Sequence, residues 1–143
     1  MSDELVVHVN IAEAGDALTP ADVGQAVIAV AETEGIDHGE ISITFVNAAT
    51  ISTLNETHLG VSGPTDVISF NLENPKAPLA DVYICPEIAA QSSQEHGIEL
   101  REELLRLVIH GMLHVAGYDH PEGPERVESD MFIRQETILK QIL

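Results

Sequence analysis

Three histidines within eleven residues are the part of this sequence whose types and spacing could do chemistry. His110, His114 and His120 stand in the run His-Gly-Met-Leu-His-Val-Ala-Gly-Tyr-Asp-His. On a helix, His110 and His114 are separated by about one turn, so their rings project from the same face. Gly117 follows at a point where a left-handed cap would turn the chain and bring His120 back over that face. The spacing therefore predicts three imidazoles that converge on one point.

Three imidazoles form a ligand set that suits zinc, and they leave a fourth coordination position for water. The segment 104–116 is almost wholly apolar apart from Arg106 and the two histidines. Burying two imidazoles in such a helix is costly unless each is hydrogen-bonded or bound to a metal. We therefore predict one zinc ion per chain, held by His110, His114 and His120, which generates hydroxide from its bound water near neutral pH.

Other sites that use histidines at this spacing differ from this sequence in their remaining residues. Metzincin proteases carry a glutamate directly after the first histidine as the general base, whereas this chain has Gly111, which disfavours peptidase chemistry by that route. A structural zinc normally has four protein ligands, and Cys85 is the candidate for the fourth. An oxygenase iron site uses two histidines and a carboxylate, for which Asp119 is the candidate.

The elements that position these histidines follow from the hydrophobic pattern. Apolar or alternating segments predict strands at Leu5–Ile11, Glu40–Val46, Asp66–Asn71 and Leu79–Cys85. Cap residues and helical spacing predict helices from Thr19 to Gly35, after Asn47, over Pro86–Gly97 and Glu99–Ala116, and from Pro124 toward the end. Early strands and late helices predict an α+β fold: one mixed sheet of about four strands with helices packed on it, in a single domain over 1–143.

The charge balance is strongly acidic, with 24 Asp and Glu against 6 Lys and Arg and a formal net charge of -18. Nucleic-acid backbones are usually neutralised by clustered Lys and Arg, so composition alone disfavours a nucleic-acid ligand. The acidic composition favours a protein whose copies repel one another and stay separate in solution, or one with a basic protein partner. No segment reaches the roughly 18 apolar residues that span a membrane, and the N-terminus lacks a signal-peptide pattern. We therefore expect a cytoplasmic protein.

The histidine run, residues 110–120, closely resembles the signature of the YbeY family of bacterial rRNA maturation endoribonucleases. The resemblance continues, in the same order along the chain, at Leu54-Asn55, at 64–70, at 81–86, and at Met131-Phe132 with Gln135-Glu136. It implies a zinc-dependent hydrolase that cuts single-stranded RNA in ribosomal RNA processing, ribosome maturation and ribosome quality control. The metal ligands that the resemblance implies are His110, His114 and His120.

The resemblance also suggests which residues surround the metal. Thr65, Asp66 and Ser69 would line the cleft, although turn and strand-start chemistry explains the same residues equally well. Asp119 would either orient an imidazole beside the metal or cap the turn that precedes His120.

One loop departs from the family pattern. The family typically has a basic loop before the Pro-Thr-Asp segment, whereas this chain has Leu59 at the usual arginine position and Val61 and Gly63 where lysine is common. Leucine cannot stabilise phosphoryl charge as arginine does, and His58 is the nearest substitute as a substrate-binding residue. We therefore expect weakened binding of RNA. Two alternatives stay open: a non-cleaving, metal-stabilised assembly factor that binds basic ribosomal proteins, and a zinc hydrolase with a different substrate.

Overall fold

The computed structural model of the chain describes residues 4–74, 77–118 and 129–143. Within these residues the strands are Leu5–Asn10 (β1), Gly39–Phe45 (β2), Val67–Asn71 (β3) and Leu79–Ile84 (β4). The helices are Pro20–Glu34 (α1), Ala48–Leu59 (α2), Pro86–His96 (α3), Leu100–Val115 (α4) and Asp130–Ile142 (α5). A short 3-10 turn, Ala12–Ala14, follows β1. The predicted α+β class with one mixed sheet is confirmed.

The start of α1 is formed by the cap residues that the sequence indicates. The Asp22 amide donates to the Thr19 hydroxyl at 3.1 Å, and the Thr19 amide donates to the Asp22 carboxylate at 3.0 Å, which is a capping box. Arg101 on α4 donates to the same carboxylate at 3.2 Å. The Thr19 amide, followed by the Arg101 guanidinium, holds the pKa of Asp22 below its usual value. A single carboxylate therefore both caps α1 and joins it to α4.

The sheet has the strand order β1-β2-β4-β3. The pairs β1–β2 and β2–β4 are parallel, while β3 pairs with β4 in the antiparallel direction, with Val67 opposite Ile84 and Asn71 opposite Ala80. Strand β3 is therefore at one edge of the sheet, and one of its sides has no strand partner among the described residues. The local hydrophobic pattern did not predict this order, because it depends on which strands meet in three dimensions.

Helix α4 is the central helix of the fold and packs against α1, α3, α5, β3 and β4. Most of its apolar side chains are fully or almost fully buried, among them Leu104, Val108, Ile109, Met112 and Leu113. They meet the inward-facing residues of the sheet, such as Ile43 and Val82. The half-buried polar residues Arg106, His110 and His114 follow one another at intervals of four and form a single stripe on this otherwise buried helix.

Helix α5 packs on α4 and begins at a serine cap. The Phe132 amide donates to the Ser129 hydroxyl at 3.1 Å, and Met131, Ile138 and Leu139 are buried beneath the helix. The predicted start of this helix at Pro124 lies outside the described residues. None of the helices in the described ranges is long and apolar enough to cross a membrane.

Candidate metal centre

His110 and His114 project from one face of α4, as their spacing predicts. The two Nε2 atoms are 3.1 Å apart, and the ring centroids are 4.7 Å apart with the rings nearly perpendicular, at 81°. Both side chains are half-buried rather than enclosed. The helix thus brings two ring nitrogens to one point on the wall of a cleft.

The other nitrogen of each ring has a hydrogen-bond acceptor. His114 Nδ1 lies 3.0 Å from the main-chain carbonyl of Tyr118, and His110 Nδ1 lies 2.7 Å from Oε1 of Gln135. A carbonyl oxygen only accepts, so Nδ1 of each ring carries the proton and donates. In the neutral imidazoles, Nε2 then carries a lone pair, which is the form that binds metals.

This arrangement fits zinc. Two lone pairs that face each other at 3.1 Å repel unless a cation, either a proton or a metal ion, lies between them. Two nitrogens bound to one tetrahedral zinc ion at 2.0–2.1 Å lie about 3.3 Å apart, close to the observed distance. A hydrogen bond from the second ring nitrogen is the usual support for a histidine that ligates zinc.

The third predicted ligand, His120, and its neighbour Asp119 lie outside the described residues. Within 4–74, 77–118 and 129–143, no group of three His, Cys, Asp or Glu side chains could hold a metal ion. The complete set of three histidines therefore stays a prediction. Cys85, the candidate fourth ligand of a structural site, is fully buried beside Ile51 and Ile68 in a separate apolar cluster.

Helix α4 ends in a cap at Gly117, as the sequence predicts. The Gly117 amide donates to the His114 carbonyl at 3.0 Å, and the Tyr118 amide donates to the Leu113 carbonyl at 2.9 Å. This pair of bonds is a Schellman motif, with Gly117 at a φ of 104° that glycine adopts without strain. The motif places the Tyr118 carbonyl within hydrogen-bond distance of Nδ1 of His114, so the cap of the helix also orients the histidine.

A cleft of about 690 Å³ opens in front of the two histidines. Thr65, Asp66 and Ser69, the predicted substrate-binding residues, line it together with His110 and His114. The cleft lies between the edge strand β3 and helix α4, with α3 and α5 contributing His96, Phe132 and Gln135. The structure thus brings together two groups of predicted site residues, at 65–69 and at 110–114, that are far apart in the sequence.

Ser69 and Asp66 also have structural roles. The Ser69 hydroxyl donates to the main-chain carbonyl of Gly111 at 3.0 Å, which ties β3 to α4. The Asp66 carbonyl accepts from the Cys85 amide at 2.9 Å and extends the β3–β4 pairing by one bond. The Thr65 hydroxyl donates to the Asp66 carboxylate at 3.4 Å. Strand chemistry and cleft lining are therefore compatible at these positions.

His58, the other predicted substrate-binding residue, does not line this cleft. It lies near the end of α2 with its ring edge-on to Phe70, at a centroid distance of 5.0 Å. Because side chains alternate along a strand, Phe70 faces the side of the sheet opposite to Ser69. The structure therefore separates His58 from the histidines of α4.

The end of α2 and the loop that follows it have an apolar surface where the resemblance predicts basic residues. Leu59 is 54% exposed and Val61 is 52% exposed. The loop is held by Asn55, which is buried and donates from Nδ2 to the Gly63 carbonyl at 3.0 Å. The match at Leu54-Asn55 thus corresponds to a loop anchor.

Arg106 is a cleft residue that the sequence reasoning did not include in the site. Its guanidinium donates to both carboxylate oxygens of Glu136, from Nε at 2.9 Å and from NH2 at 3.0 Å. It also donates to Glu103 at 2.9 Å and to Glu102 at 3.1 Å. Burial opposes its charge, but the hydrogen bonds that it donates to Glu136 and Glu103 raise the pKa of Arg106 above its usual value. Acidic residues three and four positions before Arg106 were the available signal.

Comparison with known proteins identifies the family. Residues 13–143 match the family described as Endoribonuclease YbeY. The chain belongs to the YbeY family. It is 40% identical over 116 residues to Endoribonuclease YbeY of Micrococcus luteus, a match that covers 75% of this chain and 73% of that relative. It is 40% identical over 137 residues to Endoribonuclease YbeY of Persephonella marina, with 91% and 88% covered.

A solved structure has a similar fold. The solution structure of TM1509 from Thermotoga maritima superposes with a TM-score of 0.65 at 26% sequence identity, covering 96% of this chain and 88% of that one. These matches confirm the predicted YbeY family and the predicted class of enzyme, a hydrolytic endoribonuclease.

Proposed function

We propose that this YbeY-family chain is a zinc-dependent endoribonuclease for single-stranded RNA, acting in the cytoplasm in ribosomal RNA processing, ribosome maturation and ribosome quality control. The observation that carries the proposal is the pair of facing Nε2 atoms of His110 and His114, 3.1 Å apart in a cleft. The proposed ligands of one zinc ion per chain are His110, His114 and His120. Asp119, next to His120, is proposed as an orienting carboxylate.

Zinc in such a site supplies a Lewis acid for a phosphoryl oxygen and a water of lowered pKa. The residues of the chain orient the metal ligands and line the cleft. Tyr118 and Gln135 hold the two rings with their Nε2 atoms toward each other. The Ser69 hydroxyl donates its hydrogen bond to the Gly111 carbonyl, so the Ser69 oxygen can only accept a hydrogen bond from a substrate. Asp66 and Ser69 on the cleft wall therefore suit the hydroxyl donors of ribose, which distinguish RNA from DNA.

The cleft supplies little positive charge for a phosphate backbone. Arg106 lines it, but Glu102, Glu103 and Glu136 all accept hydrogen bonds from its guanidinium. A net charge of -18 adds repulsion between the chain and RNA. We therefore propose that basic ribosomal proteins act as partners that bring this acidic chain to its RNA.

The test compares wild-type protein with His114→Ala and with a matched control, His38→Ala. His38 is an exposed histidine before β2 whose Nδ1 bonds to Asp37. Zinc content is measured by mass spectrometry of the metal, and cleavage is measured on single-stranded and duplex RNA with and without a chelator. We expect His114→Ala to lose both zinc and cleavage, and His38→Ala to keep both.

Two results would overturn the proposal. The first is cleavage that continues after chelation or in His114→Ala, which would remove zinc from the reaction. The second is a zinc-loaded protein that cuts no RNA. In that case salt-sensitive association with ribosomal particles would favour the assembly factor, and turnover of a small phosphoester or amide would favour a hydrolase with a different substrate.

A further inference from the structure

We propose that Gln135 and Glu136 of α5 are positioning residues for His110: Glu136, clamped by Arg106, orients the amide of Gln135, and this amide holds the Nδ1 proton of His110. The inference rests on the proposed zinc site and adds the side chains that prepare one of its ligands.

The first step is the bond between His110 and Gln135. Nδ1 of His110 lies 2.7 Å from Oε1 of Gln135, and the Gln135 side chain belongs to a residue that is only 5% exposed. Water therefore competes little for this proton. With the proton on Nδ1, the Nε2 atom of the neutral ring carries the lone pair that faces His114.

The second step is the orientation of the amide. A glutamine can present either its oxygen or its nitrogen to a neighbour, and only the oxygen accepts the Nδ1 proton. Nε2 of Gln135 donates to Oε2 of Glu136 at 3.0 Å. An ionised carboxylate only accepts, so it fixes the nitrogen on its own side and leaves the oxygen for His110.

The third step is the position of Glu136. Both of its oxygens accept from the Arg106 guanidinium, at 2.9 Å and 3.0 Å. Burial works to raise the pKa of Glu136, but the hydrogen bonds from Arg106 and Gln135 hold it below its usual value. Arg106 precedes His110 by about one turn of α4, and their partners Glu136 and Gln135 are neighbours on α5. Two polar contacts therefore join the two helices.

His114 provides an internal comparison. Its Nδ1 donates to the main-chain carbonyl of Tyr118, at 3.0 Å, and this acceptor does not depend on a side chain. Changes at Gln135 should therefore alter His110 and leave His114 in place. The two histidines are therefore oriented by different groups: His110 by a series of hydrogen-bonded side chains, and His114 by the main-chain cap of α4.

The experiment measures zinc affinity at fixed pH by competition with a chromophoric chelator. We expect Gln135→Met, which removes the acceptor, to bind zinc about 10–100-fold more weakly than wild type. Gln135→Glu keeps an acceptor oxygen for His110 but sets its other oxygen against the Glu136 carboxylate, so it should recover only part of the affinity. The matched control is Gln141→Met, the same substitution at an exposed position of α5, and it should bind zinc as wild type does.

A second readout separates positioning from a merely structural role. Nitrogen chemical shifts of the metal-free protein report which ring nitrogen carries the proton. We expect His110 to carry it on Nδ1 in wild type and in Gln141→Met, and to become a mixture of both forms in Gln135→Met and in Glu136→Gln, while His114 is unchanged. Because Glu136→Gln keeps the Gln135 side chain, it tests the inference if Gln135→Met does not fold.

The inference is overturned if Gln135→Met binds zinc as tightly as wild type while His114→Ala does not, or if the protonation of His110 is the same in all variants. A failure of the proposed function has a different signature: wild type would bind no zinc, and the nitrogen shifts would still decide the role of Gln135.

Discussion

The hydroxyl of Ser69 and the carbonyl of Gly111 are joined by a 3.0 Å hydrogen bond that seats helix α4 on the edge strand of the sheet. The contact is close because Gly111 has no side chain. A Cβ atom at this position would lie 2.6 Å from Cγ1 of Val82 and 3.1 Å from Oγ of Ser69. The residue that replaces the metzincin general base is thus a packing requirement of this fold.

Substituting Gly111→Ala should destabilise the protein by about 1–3 kcal/mol, because Val82 lies on a rigid central strand and the helix must move outward. The control is Gly24→Ala in α1, where an added Cβ meets no atom within 4 Å. There the gain in helix propensity should stabilise by roughly 0.5–1 kcal/mol. Urea unfolding of both variants measures the difference. Equal stability of Gly111→Ala and wild type would show that α4 is not tightly seated.

Acid should weaken the junction between α1 and α4. The pKa of Asp22 is lowered by the Thr19 amide and then by Arg101, so the ionised form stabilises the folded state. This stabilisation is complete above the ordinary value of 3.8 and is lost as the pH falls through the lowered value. Asp22→Asn should therefore be less stable than wild type at neutral pH and should approach it in acid. Unfolding curves that stay parallel across this range would contradict the assignment.

Arg106→Met should be among the more damaging substitutions outside the apolar core. It leaves the carboxylates of Glu102, Glu103 and Glu136 close together without their shared cation. The Arg106 side chain is 22% exposed, so we expect a loss of about 2–3 kcal/mol, below that for a fully buried ion pair. Arg134→Met removes a 46% exposed side chain that lies 3.6 Å from Glu34, and should cost under about 1 kcal/mol. Thermal unfolding ranks the two variants.

Removing zinc should lower the melting temperature if the proposed site is correct. A ligand present at about 100 times its dissociation constant stabilises the folded state by about 2.7 kcal/mol. Chelation should therefore destabilise wild type and His38→Ala and leave His114→Ala unchanged. An equal response of all three proteins to the chelator would place the zinc elsewhere.

The sequence predicted what local patterns determine. Alternating apolar residues located the strands, and the spacing of His110 and His114 placed both rings on one face, with Gly117 marking the turn that follows. These features need only the geometry of one element. The strand order and the position of β3 at the sheet edge depend on how the elements pack.

The contacts between α4 and α5 could not be predicted from the sequence either, because they also depend on how the elements pack. Gln135 meets His110 across 25 positions and Glu136 meets Arg106 across 30, and both pairs exist only because α5 lies along α4. The resemblance to the family included Gln135-Glu136 but did not indicate what these two residues do. His58 shows the converse, since it is near the cleft residues in sequence but lies on the other side of the sheet.

The cluster around Arg106 also has a kinetic consequence. Three carboxylates share one guanidinium, so this cluster, of which Arg106 and Glu103 line the cleft, carries a local charge of minus two within a chain of net charge -18. Most proteins that bind RNA attract it from a distance and lose this attraction as salt is added. Here the long-range field repels phosphates, and dissolved ions screen that repulsion beyond a Debye length of about 8 Å at physiological salt. Encounters between this chain and free RNA therefore become faster, not slower, as the ionic strength rises.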